Sequence, residues 1–474
     1  MLCLGVSAGS AVLSFRPIYE PDLWWHLAQG REEAAGRIVG TNLFSFTYPD
    51  YRQRYTSWLF DTGMYSAWVA AGGTGIQLAQ AALLSTTMLL MFGACRTRAP
   101  AWAAVPVLAL AVFILEPRAI PRPHLVSFAG LAACTLIVEQ AAARRSWTPL
   151  PWTIPTVALW SNFHVECVFG VLLVGLFGMA EWIRPAALTR ADARRAVLIG
   201  VLCAVATCAN PYGWGLALYL YENLSVPQFL AIAELRAPYL PEYRAFFVYV
   251  ALGASLLAIF WRTAHLREVL VFIAFAVPGL LHLRLTPLVL LATAPAVAAR
   301  LAALTARGLD SRAIVFTGIL LALASSRIPL RLLVTELESG TSAVRPRQFF
   351  SAEAVAFISR EGLEGNVFNS HNLGGLLAWE LYPRVRVFQD SRLQAYPPEH
   401  FRSIILASGS QPDWTRLVAD VDWAVISVPR PNQLSGHGRF PPTEWGSVYL
   451  DDATEIVVRR GSRYSHLIVG AVPQ

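Results

Sequence analysis

The 474 residues are 55% hydrophobic and 15% charged, with a formal net charge of +7. That excludes a single water-soluble globule, because the long apolar runs need lipid as solvent. The cationic side chains are all arginine, which suits phosphate binding but is read first as the mark of a GC-rich genome; no nucleic acid is expected as partner. The six cysteines lie in or beside apolar runs without disulfide or zinc spacing and are expected to be buried free thiols. The apolar windows stop near Leu333, which predicts a transmembrane domain over 1–335 and a soluble domain over 345–474.

In chain order, the run 1–17 lacks a basic leader region and an Ala-x-Ala cleavage site and is read as a retained first span. The segment 23–36 reads as an amphipathic helix lying at the membrane interface, and 55–71 as an apolar helix too interrupted to count as a span. Further spans are expected at 74–94, 100–116, 123–143, 149–162, 166–183, 195–209, 246–261, 268–283, 285–300 and 312–330, about eleven in all with the first. Arginine falls at every second loop, as at Arg96, Arg144, Arg184, Arg262 and Arg300. The positive-inside rule then puts the N-terminus in the cytoplasm and everything after Leu333 outside it. The loop 210–245, rich in Tyr and Pro, is expected to pack over the extracytoplasmic surface.

The C-terminal segment alternates helix and strand signals. Helices are expected at 351–361, 373–381, 397–407 and 411–420, and strands at 366–369, 385–388, 423–428, 446–450 and 455–459, which together make a small α/β domain. It has no Gly-rich phosphate loop and no nucleophile elbow. Asp390 and Arg392 are read as bracing a turn, and Gly374-Gly375 as allowing close helix approach.

This topology collects polar residues at the extracytoplasmic ends of the spans: Glu20, Asp22, His26, Arg118, Arg122, His124, Asn162, His164, Glu166, Asn210, Tyr212, His282 and Arg284. Ionisable groups at membrane depth are costly, so they tend to face a cavity, a partner or a substrate path. The opposite ends show only arginines. Glu20 and Asp22 could hold a divalent cation such as Mg or Mn through hard oxygen ligands, or one could act as a general base. The competing reading makes Asp22 a helix cap, with Trp24 and Trp25 in the aromatic belt. His164 and Glu166 could supply a base, a metal ligand or a hydrogen bond to a sugar hydroxyl, or form a satisfied interfacial network. Arg118, Arg122 and Arg284 run against the positive-inside trend; a guanidinium there suits a phosphate partner or snorkels to lipid headgroups.

The run Glu20-Pro21-Asp22-Leu23-Trp24-Trp25-His26-Leu27, with Arg122-Pro123-His124, Trp160-Ser161-Asn162-Phe163-His164 and Asn210-Pro211-Tyr212-Gly213-Trp214, resembles bacterial membrane proteins of the GT-C glycosyltransferase superfamily. The likeness continues through Val367-Phe368-Asn369, Gly374-Gly375 and Val387-Phe388-Gln389-Asp390-Ser391-Arg392. The resemblance implies a polytopic helical membrane enzyme in the bacterial cytoplasmic membrane that moves a sugar, with inversion, from a polyprenyl-phosphate carrier to an extracytoplasmic glycan, lipid or protein acceptor. Glu20-Pro21-Asp22 stands where the family carries its acidic Asp/Glu-x-Asp mark. The implied roles are Asp22 with Glu20 as catalytic pair, Arg118, Arg122 and Arg284 on the donor phosphate, and His26, His164, Glu166, Asn210 and Tyr212 on sugar or acceptor. Glu20 and Val165-Glu166-Cys167 depart from the family pattern, which has Asp and small glycines there. A lipid-linked-sugar transporter and a noncatalytic assembly subunit are the competing functions.

Overall fold

In the computed structural model the described residues are 13–37, 40–53, 57–225, 233–326, 352–407, 411–427 and 439–468. The expected first span therefore lies almost wholly outside the described residues. The chain divides into two compact units, Met1–Arg16 with Thr74–Ala343 and Pro17–Gly73 with Val344–Gln474. The contacts thus draw the boundary differently from composition, since 17–73 group with the C-terminal residues.

The first unit is helical. Its helices run over Ala101–Leu115, His124–Arg144, Thr153–Trp160, Val168–Ile183, Arg190–Ala206, Gly215–Ser225, Arg244–Ile259, Leu266–Leu281, Thr286–Ala303 and Ser311–Ala324, after the C-terminal part of a helix Trp58–Arg96. That last helix joins the two segments expected at 55–71 and 74–94, but its backbone breaks at Ala71 and at Gly72, whose φ of 56° is one that glycine adopts without steric cost. Among the described residues, five helical stretches are long and apolar enough to cross a bilayer: Trp58–Arg96, Ala101–Arg118, His124–Arg144, Val165–Ile183 and Leu283–Arg307. This is a multi-pass membrane protein. The expected span 149–162 is not a full one: the α-helix there has 8 residues, which at the helical rise cover about 12 Å. The loop 210–245 holds the helix Gly215–Ser225 and a 3₁₀ turn at Ala233–Leu235.

Small residues let these helices approach. A Cβ on Gly178 would stand 2.8 Å from the Val197 backbone nitrogen, and one on Gly130 would meet the Trp160 ring at 2.6 Å. Without a hydrophobic drive between helices in lipid, such close contact supplies the packing attraction. Large apolar residues such as Leu198, Val201, Val205, Phe316 and Leu323 are exposed, as expected of lipid-facing surfaces. Cys95, Cys134, Cys167 and Cys203 are buried free thiols, and Cys208 is free and exposed. The arginines at the predicted cytoplasmic ends do not stand alone: Arg98 and Arg300 both pair with Glu268, and Arg267 reaches Glu181 at 3.5 Å. The two acids, Glu181 and Glu268, lie far in sequence from most of the arginines they meet, so no local pattern pairs them.

The second unit is an α/β structure. Strands β1 (Gly365–Phe368), β2 (Val385–Val387), β3 (Trp423–Ser427), β4 (Trp445–Leu450) and β5 (Thr454–Arg459) form one sheet in the order β2-β1-β3-β5-β4. β1 is parallel to β2 and β3, while β5 is antiparallel to β3 and β4. Helices Ala352–Arg360, Gly374–Leu381, Pro398–Ala407 and Gln411–Leu417 complete it, close to the periods read from the sequence. An N-terminal segment adds to the β2 edge: the Val387 amide donates to Phe44 O at 3.0 Å and the Phe46 amide to Val387 O at 3.2 Å.

The helix Asp22–Ala34, expected to rest one face at the membrane interface, is enclosed by protein along most of its length. Leu23 through Gly30 are all buried, and Trp24 and Trp25 are 7% and 5% exposed. A helix enclosed in this way packs within a fold instead of resting one face in headgroups. Gly375 allows the Gly374–Leu381 helix to come down on it, since a Cβ there would be 3.1 Å from the Trp25 nitrogen.

Candidate active site

The polar residues resolve into one cluster in each unit. In the second unit Asp22 is the first residue of its helix and does not cap it; the N-cap is Pro21, which makes no side-chain cap bond. Glu20 serves that end instead, with Oε1 accepting the Asp22 amide at 3.2 Å. The Asp22 carboxylate is left to accept a short hydrogen bond from the Ser391 hydroxyl. Ser391 sits in the loop after β2, where two neighbours clamp the backbone: Asp390 is wholly buried against Arg392, 2.6 Å from Oδ2 to the guanidinium. Arg392 reaches further than a turn brace. It donates to Asn42 Oδ1 at 3.0 Å and lies 4.8 Å over the Phe44 ring, binding the N-terminal segment to the sheet. Burial pushes the His371 imidazole below its usual range, and the nearby Asp390 and Asp22 only partly oppose this.

His26, expected among the binding residues, is 2% exposed. Its Nδ1 lies 2.6 Å from Asp61 Oδ1, and its ring stacks on Trp25 at 3.7 Å. It therefore braces the helix that carries Asp22 and cannot touch a substrate without a rearrangement.

As a divalent-cation site the acidic pair is a poor fit. Among the described residues no group of three His, Cys, Asp or Glu converges, and Asp22 already accepts from Ser391.

In the membrane unit, Arg118 and Arg122 come from the turn between Ala101–Leu115 and His124–Arg144 and converge on one acid. Glu234 Oε1 accepts from the Arg118 guanidinium at 2.8 Å and from Arg122 at 2.6 Å. His124 holds Arg118 in place, with Nε2 2.7 Å from its carbonyl and Nδ1 3.2 Å from its guanidinium. Burial alone would raise the Glu234 carboxyl, but Arg118, Arg122 and Arg284 together hold it well below the usual carboxylate range.

His164 and Glu166 join the same cluster. The Trp160 indole donates to Ser127 Oγ at 3.0 Å, and that hydroxyl lies 2.8 Å from His164 Nδ1. Glu166 lies 3.3 Å from His164 and 3.5 Å from the Arg284 guanidinium, and is 4% exposed. Asn210 is turned to its own loop, accepting the Tyr212 amide at 2.9 Å and donating to Thr207 O at 2.7 Å. Sequence reading missed Ser391, Asp61, Ser127 and the role of Glu234. Each acts through a contact formed only on folding, and of the four only Ser391 stands in one of the runs that carry the resemblance.

Superposed on solved structures, the chain matches the archaeal oligosaccharyltransferase AglB from Archaeoglobus fulgidus, in complex with an inhibitory peptide and a dolichol-phosphate, with a TM-score of 0.62 and 12% identity over 89% of this chain and 69% of that one. It also matches ArnT from Cupriavidus metallidurans bound to undecaprenyl phosphate, with a TM-score of 0.55 and 14% identity over 100% of this chain and 99% of that one. The chain has the GT-C fold. The resemblance read from the acidic and aromatic motifs thus holds at the level of the GT-C fold, and identities this low carry no more than that. A further AglB structure, a complex with Zn and sulfate, matches with a TM-score of 0.61 and 12% identity over 90% of this chain and 67% of that one. No protein-family model and no curated protein matches the sequence.

Proposed function

We propose that the protein is a glycosyltransferase that moves a sugar, with inversion, from a polyprenyl-phosphate carrier to an acceptor outside the cytoplasm. The observation that carries this reading is the pair Arg118 and Arg122, both donating to one carboxylate oxygen within a GT-C fold. Two guanidinium groups on one oxygen anion are what a phosphate would require. In the reaction the acceptor oxygen or nitrogen bonds to the anomeric carbon as the bond from that carbon to the phosphate oxygen breaks. Asp22 takes the acceptor's proton, and the departing electron pair stays on the carrier phosphate. Arg118, Arg122 and Arg284 stabilise that charge in surroundings poor in water. Glu20 orients Asp22 through its amide, and His164, Glu166, Asn210 and Tyr212 are assigned to sugar or acceptor.

Purified protein incubated with lipid-linked sugars and acceptor should release polyprenyl phosphate and form glycosylated acceptor, and Asp22→Asn should abolish both with folding intact. Unaltered turnover by Asp22→Asn would overturn the assignment of the base. Movement of the lipid-linked sugar across vesicles without cleavage would replace the transferase by a transporter.

A further inference from the structure

We propose that Glu234 occupies the seat of the donor phosphate, as an internal counterion that must release Arg118 and Arg122 before the donor binds. The inference rests on the glycosyltransferase reading above. Its basis is geometric: a single oxygen, Glu234 Oε1, accepts from both guanidinium groups at 2.8 and 2.6 Å, where a phosphate oxygen would have to sit. The partners are unequally buried, with the Arg118 side chain 6% exposed and that of Glu234 24%. Arg118 is therefore fixed, and of this pair the acid is the member able to turn out to water.

Glu234 also stands on a turn anchored just beyond it. The Leu235 carbonyl lies 2.7 Å from His282 Nδ1, and the Arg236 carbonyl accepts the Leu283 amide at 2.8 Å. Only the acidic side chain, not the backbone, needs to move. Leaving the buried Arg118 guanidinium without an anion is strongly unfavourable, so the carboxylate gives it up only in exchange for another anion. Glu234 thereby cuts the charge of the empty arginine pair from +2 to +1, and weakly charged or uncharged molecules gain little by entering.

The test is binding of undecaprenyl phosphate to the full-length protein in detergent. Glu234→Gln keeps the shape and removes the charge, and should bind about tenfold more tightly than wild type, while Arg122→Ala should bind about tenfold more weakly. Glu234→Asp, which keeps the charge but shortens the reach, should fall between wild type and Glu234→Gln, and serves if the amide variant does not fold. If the Glu234 variants bind no more tightly while Arg122→Ala still weakens binding, the counterion role is overturned and the phosphate site stands. If Arg122→Ala also has no effect, the donor-site reading falls with it. Phosphatidylglycerol tested in parallel should bind weakly; equal binding with the same response to Glu234→Gln would make the seat one for ordinary lipid headgroups and overturn the proposal.

Discussion

The hydroxyl of Ser391 donates to the carboxylate of Asp22 across 369 residues of sequence. The acid that begins the helix Asp22–Ala34 is thus oriented by the loop that follows β2, and the Asp390–Arg392 pair holds that loop rigid. Removing the hydroxyl in Ser391→Ala should lower sugar transfer about tenfold, because an acid that swings freely is less often aligned with its acceptor. Initial rates, set beside circular dichroism to show that folding is unchanged, check this. Wild-type rates in Ser391→Ala would remove Ser391 from the site.

The Asp390–Arg392 pair is itself a stability determinant, with both side chains 0% exposed. Arg392→Met leaves the Asp390 charge buried and unpaired, and should cost about 3–5 kcal/mol. Replacing both residues by apolar ones of similar size should recover much of that loss. Thermal unfolding of the two variants tests it, and equal destabilisation by both would show that Arg392 acts by packing alone.

Helix approach in the membrane unit predicts a contrast between two glycines on the helix Val168–Ile183. A methyl group on Gly178 would press on the Val197 backbone nitrogen at 2.8 Å, whereas one on Gly175 would meet nothing within 4 Å. Gly178→Ala should therefore destabilise by about 1–3 kcal/mol and Gly175→Ala far less. Resistance to unfolding in mixed detergent micelles measures the difference, and equal effects would refute it.

Glu33 gives a pH dependence of known sign. Burial pushes its carboxyl up to about 8 from an ordinary value of 4.5, against the opposing hydrogen bonds from Gln29 and Thr62. The folded state keeps this proton where the unfolded chain has lost it. The stabilisation is then complete below about pH 4.5 and is lost as pH rises towards 8, by up to about 4 kcal/mol. Unfolding followed from pH 5 to pH 8 should show this fall in wild type and a flatter profile in Glu33→Gln.

Local periodicity determined a good deal on its own. The strands from Gly365–Phe368 to Thr454–Arg459 and most membrane helices lie within a few residues of their expected places, because period 2, period 3.6 and long apolar runs depend only on neighbours in sequence. The GT-C likeness was legible in the same way, from short runs such as Glu20-Pro21-Asp22 and Trp160-Ser161-Asn162. Gly374-Gly375 likewise marks a place of close helix approach from sequence alone, since two adjacent residues without side chains let another backbone come near.

Tertiary structure alone decided the partners of the charged residues. An amphipathic helix with tryptophans reads the same whether it lies on a membrane or inside a fold, so the burial of Trp24, Trp25 and His26 could not be foreseen from 23–36. The grouping of 17–73 with the C-terminal residues, the bond from Ser391 to Asp22 and the meeting of Arg118 and Arg122 on Glu234 all join segments distant in the chain. Composition says how many charges a membrane protein carries; the balance of desolvation against ion pairing, settled only when the helices pack, says which of them meet.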